Sequence, residues 1–260
     1  MVAVRSGAAT DTGKVRTSNE DRVFAGVRVF VVADGMGGHA AGEVASSLII
    51  GRLADLDDRA DLTPEDIRRE LAQANEDILQ SARQDPARSG MGSTVAGLAL
   101  AWIAGSVHWV VFNAGDSRVY RLTRQAFTRL TADHTEAEEL VANGVLDRAQ
   151  ALVHRSRHVL TRALGSDPAP EADLLMLPPS PGEVFLLCSD GLTKELTDEE
   201  IADVLRGEAN PQHIAATLVE RARERGGRDN VSVVVVTQLD EAQSAAEDRT
   251  VPRTKAVATP

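Results

Sequence analysis

The sequence has a single cysteine, Cys188, in 260 residues, so no intramolecular disulfide can form and nothing points to an oxidising compartment. Aromatic residues make up only 3% against 43% hydrophobic residues in all, so a core must be built from aliphatic side chains. No run approaches the roughly 18 apolar residues of a membrane span, and Met1 to Gly13 lacks a basic stretch followed by an apolar one. Basic residues are outnumbered, 28 Lys and Arg against 39 Asp and Glu, for a formal net charge of -11. Such an exterior repels a phosphate backbone or an anionic membrane over most of its area. These absences predict a cytoplasmic monomer with no nucleic-acid or membrane partner, and leave an excess of carboxylate available to hold cations.

The length and apolar content suit one large domain. Val27 to Ala33, Val107 to Phe112, Val184 to Cys188 and Val231 to Val236 are short, β-branched runs bounded by Gly, Asn or Asp, which predicts buried strands. Helical spacing is found in Ala40 to Leu56, Pro64 to Ala82, Asp198 to Leu205 and Pro211 to Arg225, the last closed by Gly226-Gly227. Thr63-Pro64-Glu65-Asp66 is a helix start, with an N-cap hydroxyl, proline in the first turn and acids at the positive end of the dipole. The order of elements predicts an α+β layered architecture rather than regular βαβ alternation, with two sheets and helices outside them. Thr131 to Pro170 interrupts the strands with two polar helical pieces, Thr135 to Ala142 and Asp147 to His154, the first stopped by Asn143-Gly144. An insert of this length in a compact domain predicts a functional element. Residues 240–260 lack periodicity and read as a disordered, solvated tail carrying Thr250, Thr254 and Thr259.

Four of the apolar runs have an aspartate at one end. Val29 to Ala33 leads into Asp34-Gly35, Trp109 to Phe112 into Asn113-Ala114-Gly115-Asp116, Val184 to Cys188 into Ser189-Asp190-Gly191, and Asp229-Asn230 opens Val231 to Val236. An acid beside a buried run is costly to desolvate alone. Packed sheets can bring such ends to one rim, where repulsion raises the carboxyl pKa values unless a cation neutralises them. Hard oxygen ligands suit Mg²⁺ or Mn²⁺. The other reading is that each Asp-Gly is an ordinary turn, and composition alone leaves both open. A further acidic element, Arg16-Thr17-Ser18-Asn19-Glu20-Asp21, joins two acids to a guanidinium, a group that fits two phosphate oxygens at once.

Taken in order, Arg16…Glu20-Asp21, Val32-Ala33-Asp34-Gly35-Met36-Gly37-Gly38, Gly90-Met91-Gly92-Ser93-Thr94, Asn113-Ala114-Gly115-Asp116-Ser117-Arg118, Ser189-Asp190-Gly191-Leu192 and Asp229-Asn230-Val231-Ser232 resemble the PPM family. These are the type 2C metal-dependent serine/threonine protein phosphatases, here in compact bacterial form. The match spans about Arg5 to Gln238, within a phosphatase domain over residues 1–239. The resemblance implies a four-layer α-β-β-α sandwich, with two central antiparallel sheets flanked by helix pairs and a helical flap over about residues 131–170. It implies two to three divalent cations, Mn²⁺ or Mg²⁺, and hydrolysis of phosphoserine and phosphothreonine in proteins by water activated between two of them, reversing the action of a Ser/Thr kinase. Carried over by residue, Asp34 bridges two cations, the Gly35 carbonyl binds one, and Asp190 and Asp229 the other. Glu20 acts through water, Asp116 joins Asp190 at a third cation, Asp21 and Asn230 support the ligands, and Arg16 orients the phosphate. Many eukaryotic relatives have histidine directly after the Asp-Gly pair where Met36 stands here; His39 is the candidate general acid in its place, with capping or packing as its plain alternative.

Other chemistries are excluded by missing residues. A Cys-x5-Arg thiol phosphatase would need arginine where Lys194 stands, Gly35 to Gly38 lacks the Gly-Lys-Ser/Thr ending of a nucleotide loop, and Ser117 has no Gly-x-Ser-x-Gly context. His154 and His158 are separated by Arg155-Ser156-Arg157, without the glutamate of a His-Glu-x-x-His zinc site. Three rivals stay open on sequence alone: a catalytically silent phosphoprotein-binding regulatory module, a phosphatase of small phosphate esters, and a phosphatase of an anti-sigma-antagonist-type phosphoprotein.

Overall fold

A computed structural model of the chain describes residues 2–37 and 41–239. Eleven strands form two antiparallel sheets among these residues. The first joins β1 (Val4–Asp11), β11 (Val231–Gln238), β10 (Val184–Cys188), β7 (Arg118–Leu122) and β8 (Phe127–Arg129), in that order. The second joins β2 (Asp21–Ala25), β3 (Val29–Met36), β5 (Val95–Ile103), β6 (Ser106–Ala114) and β9 (Asp173–Leu177), with the two-residue β4 (Gly92–Ser93) on the end of β3. Helices α1 (Ala41–Ala54) and α2 (Pro64–Gln84) cover the outer face of the second sheet. The single turn α5 (Asp190–Thr193), with α6 (Asp198–Gly207) and α7 (Pro211–Arg225), covers the first.

The two-residue period of the strands assigns the apolar side chains to three layers. Val29, Val31 and Ala33 of β3 pack under α1 and α2, while Phe30 and Val32 between them face the other sheet. Val231, Val233 and Val235 of β11 pack against the α5–α7 layer, and Val234 and Val236 join Phe30 and Phe185 between the sheets. Runs buried on both faces therefore read as continuous rather than alternating, as they do in the sequence. Three aromatic residues meet in the middle layer, where the Trp109 ring lies 5.2 Å from Phe185 and 6.4 Å from Phe30.

The helix start at Thr63 is a full capping box: the Thr63 hydroxyl accepts from the Asp66 amide, the Asp66 carboxylate accepts from the Thr63 amide, and Pro64 opens the helix. The strand expected from Val27 begins at Val29. The Asp57 carboxylate accepts the amides of Val27, Arg28 and Val29 at 2.7–3.0 Å, which bends those residues into a turn. Within the insert, α3 (Glu136–Ala142) is capped by Thr135 and ends at Asn143-Gly144, and α4 (Arg148–Val153) is capped by Asp147. A backbone bridge from Thr135 to Leu160 closes the insert on itself at its base, and one from Leu164 to Ser93 ties it to the body of the fold.

Candidate metal centre

The sequence motifs converge where the ends of both sheets meet. Asp21 and Asp34 are register partners across β2 and β3, Asp116 lies in the loop after β6, Asp190 follows β10, and Asp229 precedes β11. The intervening motifs hold these acids in place. Ser93 donates its hydroxyl to the Asp34 carbonyl at 3.0 Å, the Thr94 hydroxyl accepts the Asp34 amide at 3.2 Å, and Thr94 pairs with Ser117 at 2.6 Å. Ser189 donates to Asp21 Oδ2 at 2.8 Å, while the same hydroxyl accepts the Ser232 amide. Asn230 accepts the Glu20 amide and donates to the carbonyls of Thr12 and Ser18. Gly35 has no room for a side chain: a Cβ there would lie 2.1 Å from the Gly42 carbonyl oxygen and 2.6 Å from that of Glu20.

Burial raises the pKa of Asp34 well above the carboxylate range, and the charges of Asp21, Asp190, Asp116 and Asp229 raise it further. Desolvation pushes Asp21 up to about 6 against hydrogen bonds from Ser232 and Ser189. Asp116 is pushed up to about 7 by desolvation and by Asp190 and Asp133. Among the described residues, Oδ1 of Asp21 and Oδ1 of Asp190 are buried without a hydrogen-bond partner. Carboxylates that repel one another and retain bare oxygens fit a divalent cation, whose charge would offset both penalties.

Two cationic side chains reach this cluster. Arg16 grips Asp229 through Nε at 2.8 Å and Nη2 at 3.2 Å, and Lys194 Nζ lies 2.5 Å from Asp190 Oδ2 and 2.8 Å from Asp229 Oδ2. Burial opposes the charge of Asp229, but Lys194 and Arg16 outweigh it and hold its carboxyl below the ordinary range. A cavity of about 620 Å³ opens between this rim and the insert, with Asp116, Asp190, Asp229 and Lys194 on one side and Arg157 and His158 on the other.

Two members of this arrangement were not assigned to it by sequence. His158 brings a ring nitrogen within 4.8 Å of carboxylate oxygens of Asp116 and Asp190, and no local spacing announces that approach because the insert folds back over the rim. Lys194 was legible: it stands four residues after Asp190, the separation of paired charges on one helical face. His39 lies outside the described residues.

Residues 16–231 match the protein phosphatase 2C family. The chain belongs to that family. It is 35% identical over 238 residues to a serine/threonine phosphatase, stp, of Listeria welshimeri, a match covering 87% of this chain and 93% of that protein. The crystal structure of the serine/threonine phosphatase PstP of Mycobacterium tuberculosis superposes with a TM-score of 0.85 at 37% identity, covering 92% of this chain and 100% of that one. A second structure, the PstP catalytic domain in complex with 2 manganese ions, gives 0.83 at 36% identity, with the same coverage. The two-sheet sandwich expected from the motifs is thus the fold of the family.

Proposed function

We propose that this 2C-family chain hydrolyses phosphoserine and phosphothreonine in proteins with the help of divalent cations held at the rim of the sandwich. The observation that carries this reading is the convergence of Asp21, Asp34, Asp116, Asp190 and Asp229 from both sheets, with bare carboxylate oxygens among them. Asp34, the Gly35 carbonyl, Asp190 and Asp229 would hold two cations, with Glu20 acting through water and Asp116 serving a third with Asp190. Mn²⁺ and Mg²⁺ suit this oxygen donor set, and the manganese found in PstP supports that choice. Such ions, when bound, activate water for in-line attack at phosphorus and take up developing charge.

The chain's own groups supply the rest. Arg16, half-exposed and already paired in two-point fashion with Asp229, has the planar fork needed to turn toward two phosphate oxygens. Asp21 and Asn230 fix the backbone around Glu20 and Asp34, so ligand positions are set before any ion arrives. The cavity beneath the insert gives a protruding phosphorylated side chain a place to enter. His39 remains the proposed proton donor.

The phosphatase domain is assigned to residues 1–239, with a flap at about 131–170 and a tail at 240–260. No described helix is long and apolar enough to cross a membrane. The proposed setting is a cytoplasmic monomer that opposes a Ser/Thr kinase in signalling. The test is phosphate release from a phosphothreonine peptide with Mn²⁺, with EDTA, and with Asp34→Ala and Asp190→Ala. Release is expected with Mn²⁺ alone, and both variants should lose it while keeping the wild-type circular dichroism spectrum. Folded wild-type protein that releases no phosphate with Mn²⁺ or Mg²⁺ would point instead to a silent phosphoprotein-binding module.

A further inference from the structure

The carboxylates on the β10 and β11 side of the rim already have a cation between them. Lys194 Nζ lies 2.5 Å from Asp190 Oδ2 and 2.8 Å from Asp229 Oδ2, so one ammonium group spans the two acids. We propose that Lys194 is a tethered cation that holds Asp190 and Asp229 together before metal arrives, and that a divalent ion enters this side of the centre by displacing it. The inference rests on the reading above that these two acids are cation ligands.

The tether is short. Lys194 ends the single turn α5, and its amide donates to the Asp190 carbonyl at 2.8 Å, so the ammonium group starts one helical turn from the carboxylate it binds. Confinement of that kind gives a charge a high local concentration without any binding from solution. Asp229 Oδ1 accepts from Arg16 Nε and the Asn230 amide, and its Oδ2 is shared between Arg16 Nη2 at 3.2 Å and the lysine at 2.8 Å, while the bare oxygen of Asp190 is Oδ1, on the other side of its carboxylate. Lys194 thus offsets part of the repulsion felt by the neighbouring Asp116 carboxyl.

The same contacts make the ammonium group a competitor. A divalent ion using both Oδ2 atoms would occupy the space of Nζ, and two cations sharing those oxygens would repel strongly. The four-carbon stem can yield, because Lys194 lines the cavity beneath the insert and has open volume to swing into. Metal affinity is then reduced by the fraction of molecules in which the lysine is withdrawn, on the order of tenfold if that fraction is about one-tenth. The device trades affinity for a metal-free site that stays assembled.

Calorimetric titration of Mn²⁺ into the full chain tests this with wild type, Lys194→Met and Lys194→Arg at one pH. Lys194→Met should bind Mn²⁺ about tenfold more tightly and melt at a lower temperature than wild type in EDTA, whereas Lys194→Arg should resemble wild type in both. Equal or weaker Mn²⁺ binding by Lys194→Met overturns the proposal while leaving the metal centre intact. Absence of Mn²⁺ uptake by every form, wild type included, overturns the metal centre itself and this inference with it. A second measurement needs no variant. The chain has three lysines, Lys14, Lys194 and Lys255, so acetylation can be followed peptide by peptide in wild-type protein. Saturating Mn²⁺ should accelerate modification of Lys194 several-fold and leave Lys14 unchanged; an unchanged rate at Lys194 rejects displacement.

Discussion

Asn230 links three backbone segments with one side chain: it receives the Glu20 amide at 2.9 Å and gives its own amide protons to the carbonyls of Thr12 and Ser18, both at 2.9 Å. Because Asn230 is only 6% exposed, water cannot replace these bonds at little cost. Asn230→Ala should lower unfolding free energy by about 2–3 kcal/mol in urea titrations. Asn230→Asp should cost at least as much, since it keeps the acceptor for Glu20 but faces two carbonyl oxygens with a third oxygen. This shell explains which site residues show in the sequence. Asp34, Asp116, Asp190 and Asp229 announce themselves because each stands near the end of an apolar run, the first three directly beside a glycine. Asn230, Ser93 and Ser189 were legible only through the family motifs that contain them, with Asn230 expected to support the ligands; their hydrogen-bond partners were not, because those lie tens to hundreds of residues away.

Helix α2 shows how a terminus stores pH dependence. The Asp66 carboxyl is held below its ordinary value of 3.8 by the Thr63 hydroxyl first, then, against a desolvation cost, by Arg69, the Thr63 amide and Arg59. A depressed folded pKa means that the stabilisation is full above the unfolded pKa and is lost as pH falls below it toward the folded value. Asp66→Ala should therefore reduce stability by about 1–2 kcal/mol near pH 7, and the difference from wild type should shrink as denaturation is repeated at pH values below 3.8. The boundaries of α2 and α7 were legible because their caps are local: Thr63-Pro64, and Gly226-Gly227, where Gly227 takes a φ of +57°. The turn at Val27 was not, because the residue that bends it is Asp57, thirty positions away. The insert is anchored by a side chain as well as by backbone. His134 Nδ1 accepts the Gly115 amide at 3.1 Å, so the proton is on Nε2, where it meets Asp173 at 3.1 Å. His134→Ala should release the base of α3, seen as faster proteolysis within residues 136–159 while cleavage elsewhere is unchanged.

At the scale of the whole molecule, three apolar layers alternate with the two sheets, and a few large rings meet many aliphatic groups in the layer between the sheets. Trp109 is fully buried there and its indole N–H donates to Gln238 at 2.9 Å. Trp109→Ala should cost about 3–5 kcal/mol in chemical denaturation, with no direct contact to the rim. Gly97 faces Phe112 across β5 and β6, and an added Cβ would lie 1.9 Å from the ring, so Gly97→Ala is expected to destabilise by about 1–3 kcal/mol. The layer order could be read from the sequence because doubly buried strands and amphipathic helices differ in period. Strand neighbours could not, since β1 pairs with β11 from the far end of the chain and no local pattern encodes that choice. The insert adds a different property. It leaves the body at His134, whose amide donates to the Gly115 carbonyl, and returns at Leu164, bridged to Ser93; Thr135 and Leu160 close its base, while its middle covers the cavity without building the sheets. A segment fastened so firmly at its roots is free to change between them. Exchanging residues 136–159 with the matching stretch of a relative should then change which phosphopeptides are accepted while the rim carboxylates keep their positions, measured as relative rates across a peptide panel.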